Sequence, residues 1–458
     1  MKKIFFILVV LAPLVSFSQR MDVRRGPSAV NTLFVNDVNG LTNALNTVNP
    51  LANSTNQYLL VLGNGTYYVP GGDTMLVLSN YVGIVGQGMF QTTIVTANDG
   101  NANGSSYPQN VPFLTPYSFS YVGYMSIIGT NRTFGNGLGG MTKLIGTIGQ
   151  DRAPDGAGLN TTNVILEQLY LDGGIDCLYI DNSPASFPVE IKWDIYNCKF
   201  RSQWDVVLLT VGDNNLNNAI YGLNPSTEVN FYNCDFKVYW PSNNAATSNG
   251  MATCINVSGK PRTSFNNCSI DSRNGTNRTC CVSFNGVQNG TPIDATTNSQ
   301  DGIFLVGCNM FAVNTNTING GYFSITNWNG RITTRGCNFN GVPYVCNNGG
   351  VLVSPDLDLV YTNSYITTNV FVALNGSPKQ ALIATNAMLL LFTNSIENYP
   401  IELTIYNNGA TQQNITYPNG LRWLAGGLSN SLTAGKELTL RIKKTGTNIS
   451  LTSYNQVN

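Results

Sequence analysis

The 458-residue chain contains no histidine. That absence removes the usual general base, the commonest zinc and copper ligand, and any Ser-His or Cys-His nucleophile. Charge is scarce as well: 10% of residues are Asp, Glu, Lys or Arg, and 24 basic side chains balance 24 acidic ones. No global field therefore favours nucleic acid, anionic lipid or an acidic polymer. Good helix formers are sparse, whereas the 46 glycines and 22 tyrosines, with abundant Asn, Thr and Ser, describe a turn-rich chain that leans to β structure.

Long apolar runs are missing beyond the N-terminus. There, Lys2 and Lys3 precede an apolar stretch from Ile4 to Val15, broken by Pro13, and then Ser16-Phe17-Ser18. The stretch is short for a membrane span and has the order of a secretory signal peptide, so residues 1–18 are expected to direct export. Met21 is an alternative start that would remove this signal. The mature chain is expected to be soluble, extracellular or on a virion surface, with no nucleic-acid or membrane partner.

Ten cysteines in a chain of this length are too few for a disulfide scaffold, so they are read by position. One surrounding recurs: EIKWDIYNCKF at Glu190–Phe200, TEVNFYNCDF at Thr227–Phe236, RTSFNNCSI at Arg262–Ile270, GIFLVGCNMF at Gly302–Phe311 and RITTRGCNF at Arg331–Phe339. DLDLVYTNSYI follows, with Ser364 in the cysteine position. Between copies lie further short apolar strands, among them DCLYI, VVLLTV, ATCINV, CCVSF and YFSITNW. The spacing is irregular while the surroundings are constant, as in an internal repeat with variable loops. The shorter intervals leave no room for a four-stranded propeller blade. A solenoid of stacked coils fits, and its fold class is all-β, a right-handed single-stranded parallel β-helix. Cys198, Cys234, Cys268, Cys308 and Cys337 are then expected to stack inside it as free thiols, because strands about 4.8 Å apart give poor disulfide geometry.

From Asn39 to Val95 come a helix-like segment (Leu41, Ala44, Leu45), the strand YLLVLGNGTYYV, then MLVLSNYVGIVGQG and QTTIV. This order resembles the opening of pectate-lyase-like β-helix proteins, in which a short helix caps the first coil. Near the other end, Arg422-Trp423-Leu-Ala-Gly426-Gly427 and Leu432-Thr-Ala-Gly-Lys436 resemble a C-terminal module of phage tail spikes and other virion β-helix proteins, although that module's final tryptophan is absent. The second resemblance implies a β-sandwich-like cap and a homotrimer. The expected layout is a linker at 19–38, a β-helix at 39–368 with large loops inserted around 98–160, and a C-terminal cap and oligomerisation domain at 369–458. GNGLGG at Gly135–Gly140 lies in that loop-rich region without the strand-helix context of a phosphate loop.

Carboxylates that cleave polysaccharides work in clusters. The densest acidic stretch is LDGGIDCLYID, which holds Asp172, Asp176 and Asp181, followed by Glu190 and Asp194. These five are weak catalytic candidates, since Asp before Gly is also an ordinary turn residue. The polygalacturonase histidine motif is missing and no clear pectate-lyase arginine motif is found, so the resemblance carries no catalytic residue across. Flat rings stack on sugar faces, which singles out Trp204, Tyr239, Trp240 and Trp328 as candidate glycan contacts, with packing inside the coil or at its edge as their alternative role. Cys280-Cys281 has no zinc-ligand spacing, no metal or other cofactor is expected, and Ca²⁺ has no supporting motif. The leading expectation is a spike or fibre that recognises a surface glycan; a secreted polysaccharide lyase or hydrolase and a bacterial surface adhesin are the rivals.

Overall fold

The structure is a computed structural model. It describes residues 30–69, 76–96, 112–130, 143–147, 161–173, 176–182, 190–202, 205–211, 227–238, 252–258, 262–273, 279–285, 287–288, 291–292, 302–312, 321–326, 331–341, 344–348, 351–353, 360–363, 370–372, 379–383, 388–391, 400–407, 410–417, 421–423, 431–445 and 448–457. Residues 1–18, Met21, the GNGLGG stretch and Ser364 lie outside that set, as do Trp204, Tyr239, Trp240 and Trp328. Among the described residues no helix is long and apolar enough to cross a membrane.

Parallel pairing between successive coils builds three sheets. The first runs from Val30–Val35 through Gln57–Leu62, Val82–Val85, Ile191–Tyr196 and Thr227–Tyr232 to Val351–Val353. The second runs from Gly65–Val69 and Thr92–Thr96 through Lys199–Ser202 and Asp235–Val238 to Asn338–Gly341. Two long strands, Tyr121–Gly129 and Thr161–Asp172, bend from the first sheet into the second, which joins them into one 18-stranded set. The third sheet starts at Leu76–Leu78 and Leu114–Pro116, continues through Asp176–Asn182, Asp205–Val211 and Ala252–Ser258, and has 15 strands. The chain is thus a parallel β-helix, and parallel crossovers of this kind are right-handed as a rule.

Alternation decides what each coil buries. In Ile191–Tyr196, Ile191, Trp193 and Ile195 point inward while Lys192, Asp194 and Tyr196 face out. Inside, like stacks on like: Phe200 lies parallel to Phe236 at 5.0 Å and Phe231 parallel to Phe265 at 4.7 Å, and the two stacks interlock edge to face at 5.3 Å. Helix α1, Val38–Val48, closes the first coil by burying Leu41, Leu45 and Val48, and Asp37 caps it by accepting from the Gly40 N–H at 2.6 Å.

The corner between the first and second sheets is one left-handed residue, Asn197, Asn233, Asn267, Gly307 or Gly336, with φ from 54° to 64°. Asn and Gly are the residue types that adopt this conformation at low cost. The next residue is the repeated cysteine, turned into the core. Each thiol faces the carbonyl two residues back, and from Cys234 onward also one in the coil before: Cys234 Sγ lies 3.4 Å from the Tyr232 oxygen and 3.6 Å from that of Ile195. Cys308 and Cys337 repeat the pattern at 3.2 Å from the Phe265 oxygen and 3.3 Å from the Leu305 oxygen. The expected ladder is therefore present, buried and made of free thiols. A second ladder, not anticipated, runs along the corner between the second and third sheets, where Cys177, Cys254 and Cys281 are buried against the carbonyls of Arg201 (3.0 Å), Asp271 (3.2 Å) and Phe311 (3.5 Å). Burial pushes the Cys281 thiol up to about 12, so it stays protonated and unreactive.

Three boundaries expected from sequence move. Val30–Val35, placed in a linker, is the first strand of the first sheet, because its register with Gln57–Leu62 brings Leu33 and Val35 to the core. The region around 98–160, expected as inserted loops, contributes Leu114–Pro116, Tyr121–Gly129 and Lys143–Gly146, each pairing with the coil before and after. Its many Gly and Asn residues hide short apolar strands. The third sheet also crosses residue 368 without a break, through Lys379–Ile383 to Pro400–Tyr406, and only then turns antiparallel with Glu437–Thr445 and Asn448–Val457.

Replacing Asn233 by Ala is expected to cost about 1 kcal/mol, the penalty of an L side chain in the left-handed region, while Asn233→Gly stays close to wild type. Denaturant melts of the two variants check this.

Candidate functional site

The coil has three sheets, and Asp172, Asp176 and Asp194 are on different ones. Asp172 is on the second sheet, where its carboxylate accepts from the Tyr170 hydroxyl at 3.0 Å. Glu190 precedes the first sheet and pairs with Lys192, and Asp194, on that sheet, accepts from Asn230 Nδ2 at 3.3 Å. Asp176 and Asp181 belong to the same third-sheet strand, and the side chain of Asp181 is outside the described residues. Asp172, Asp176 and Asp194 do not form one site, because a coil turns through two corners between Asp172 and Asp194.

Asp176 instead belongs to a cluster that the sequence did not reveal. Register stacks it directly between Lys143 and Asp205, with Thr253 next in line. Lys143, Asp176 and Asp205 each open a third-sheet strand immediately before an apolar run. The Lys143 ammonium lies 3.7 Å from Asp176 Oδ2 and 3.5 Å from the centre of the Tyr179 ring. Asp205 is well satisfied: Thr253 Oγ1 donates to it at 2.6 Å and Asn256 Nδ2 at 2.9 Å. Asp176 is not, since its Oδ1 has no hydrogen-bond partner. All three ionisable groups are sealed, with Lys143 6%, Asp176 1% and Asp205 2% exposed. Burial, the largest cause, pushes both carboxyls up: Asp176 to about 7, against the lowering influence of Lys143, and Asp205 from 3.8 to about 6, against the hydrogen bonds from Thr253 and Asn256.

The open chemistry is on the second sheet. Tyr68 and Phe90 are each 70% exposed, and the Phe90 ring lies 5.3 Å from that of Tyr170, tilted by 52°. The turn carrying Phe90 is tied to the sheet by Gly88 N–H to the Tyr124 carbonyl at 2.9 Å, by Gln87 N–H to Thr92 Oγ1 at 2.9 Å, and by the Ser126 hydroxyl to the Met89 carbonyl. Tyr68 is in register with Val95, Ile128 and Asp172 along the same face. Further along, the face becomes ionic, with Arg201 paired to Asp235 and Arg273 to Asp271. Among the described residues no group of three or more His, Cys, Asp or Glu side chains is arranged to hold a metal ion. Trp204, Tyr239, Trp240 and Trp328 are the rings that stand out in the sequence, whereas Tyr68 is marked only by its exposed parity in GTYYV, where Tyr67 and Val69 point inward.

No protein family and no curated protein matches the chain. Among solved structures it is similar to the Agl-KA catalytic domain, with 10% identity and a TM-score of 0.40 over 83% of this chain and 65% of that one. It is also similar to ORF18 of Geobacillus virus E2 (11%, 0.38, 93% and 76%) and to pectin methylesterase PemA from Erwinia chrysanthemi (11%, 0.32, 62% and 81%). The chain thus spans about two thirds of the length of the first. At these identities the likeness is one of fold alone.

Because the folded pKa of Asp205 lies above its unfolded value, the native state holds the extra proton between pH 3.8 and about 6. Its contribution to stability is present at low pH and is lost as pH rises through that window. Thermal melts across it should show Asp205→Asn flattening the pH dependence relative to wild type.

Proposed function

We propose that the protein is an exported β-helix that binds a surface glycan, serving as the shaft of an attachment spike or fibre. The observation that carries this reading is two 70% exposed rings, Tyr68 on the second sheet and Phe90 on the turn that leads into it. Large apolar side chains held open to water, rather than scattered exposed ones, mark binding surfaces. Flat rings offer the apolar face of a sugar a stacking surface, and the Asp172 carboxylate, which accepts from the Tyr170 hydroxyl, supplies a polar neighbour for sugar hydroxyls. The apolar run Ile4–Val15 after Lys2 and Lys3 supports export. The resemblance of Arg422–Lys436 to virion modules supports a homotrimer.

A hydrolase or lyase requires carboxylates that meet the substrate. Among the described residues, the carboxylate pair in register on adjacent coils at the third sheet, Asp176 and Asp205, is closed to a polymer. On the strength of the exposed rings, binding without cleavage is the favoured reading over the enzymatic one, and a spike over a bacterial adhesin.

Each stacked ring contributes about 1 kcal/mol, so Tyr68→Ala with Phe90→Ala should lower affinity for a bound polysaccharide roughly 10- to 30-fold. Affinity electrophoresis against a panel of acidic and neutral polysaccharides reads this, and release of unsaturated products or reducing ends from any of them contradicts the binding role. Light scattering should give the mass of a trimer.

A further inference from the structure

The sealed cluster on the third sheet has the components of a covalent staple. A primary amine, a carboxyl group and a second carboxyl group stand in consecutive coils, at Lys143, Asp176 and Asp205. The amine is 3.7 Å from Asp176 Oδ2, the other oxygen of that carboxyl has no partner, and none of the three side chains is open to solvent. We propose that Lys143 Nζ and Asp176 Cγ join in an intramolecular amide bond, formed by the folded chain itself with Asp205 relaying the proton.

The step balances without an outside reagent. An ammonium–carboxylate pair and an amine–carboxylic acid pair contain the same atoms, and one proton moving across the contact interconverts them. A sealed site favours the uncharged pair, because burial penalises both charges. The free amine then attacks Asp176 Cγ, forming the C–N bond. The Asp205 carboxylate takes a proton from the attacking nitrogen and returns it to the leaving oxygen. The C–O bond breaks and one water leaves, so Lys143 gives up one hydrogen and Asp176 one hydroxyl. Fixed neighbours in register replace an encounter in solution, which is the largest gain available to such a reaction. Exclusion of water also protects the product against hydrolysis. Tyr179, whose ring faces Lys143 Nζ, holds the nitrogen at this position.

The linkage would tie neighbouring coils together across residues 144–175. That role is otherwise empty among the described residues, since the eight described cysteines are free and buried. The cross-link does not depend on glycan binding.

Peptide mapping of the purified full-length chain tests it. The expected result is a branched peptide joining the fragments that contain Lys143 and Asp176, lighter than their sum by one water. Lys143→Met, which removes the nucleophile, and Asp205→Asn, which removes the relay, should both return separate linear fragments of full mass. A wild-type chain that melts cooperatively yet yields only linear fragments containing Lys143 and Asp176 overturns the proposal. So does a Lys143→Met chain that still shows the water deficit at Asp176.

Discussion

Seven successive coils of this fold, from the one at Tyr124 to the one at Gly336, each hang on one left-handed residue. At the corner between the first and second sheets, the backbone of Asn197, Asn233, Asn267, Gly307 or Gly336 turns the strand while the coil-to-coil hydrogen bonds continue on either side. Asn233 N–H, for example, bonds the Asn266 carbonyl, and Asp235 N–H bonds that of Cys198. The corner fixes which residue enters the core next. A cysteine suits that position, being small, apolar and able to face a carbonyl of the coil below. In the two preceding coils the corner residues are Gln168 and Tyr124, and the core position is held by Leu169 and Met125. These are the coils whose strands run from one sheet into the next, so the constraint appears earlier in the stack than the cysteines that advertise it.

This explains what could be read from the sequence. The N-C and G-C repeats showed the coil, its irregular period and its interior ladder, because the corner demands the same two residue types each time. The second ladder escaped notice although Cys177, Cys254 and Cys281 stand in recognised strands: the corner interrupts the alternation, and pairing passes from Asp176 with Asp205 directly to Leu178 with Val207. Lys143 escaped because its strand is four residues long and set in a Gly- and Asn-rich stretch. The acidic candidates are spread over different sheets for a geometric reason. Alternation tells whether a side chain faces in or out, but in a three-sided coil it does not tell which side, and Asp172, Asp176 and Asp194 face three different ways.

The same geometry separates two kinds of chemistry. On and beside the second sheet, rings are held open at the surface of the hydrogen-bonded stack, which suits recognition of a ligand without chemical change. On the third, an amine and two carboxyls are stacked and shut away from water, which suits chemistry within the chain. A parallel stack repeats side chains at one spacing on every face, so Tyr68 and the Lys143–Asp176–Asp205 stack are placed by register, while Phe90 is placed by a turn tied to the sheet.

Register is therefore the quantity to measure. Spin labels at Asp194 paired with labels at Phe304 or Thr333 report the coil spacing, since Asp194, Asn230, Ser264, Phe304 and Thr333 are successive partners along the first sheet. Parallel stacking predicts separations of roughly 14 and 19 Å, one strand spacing apart. A Thr333 label no farther from Asp194 than the Phe304 label, or either distance beyond roughly twice these values, would contradict the stacked-coil account.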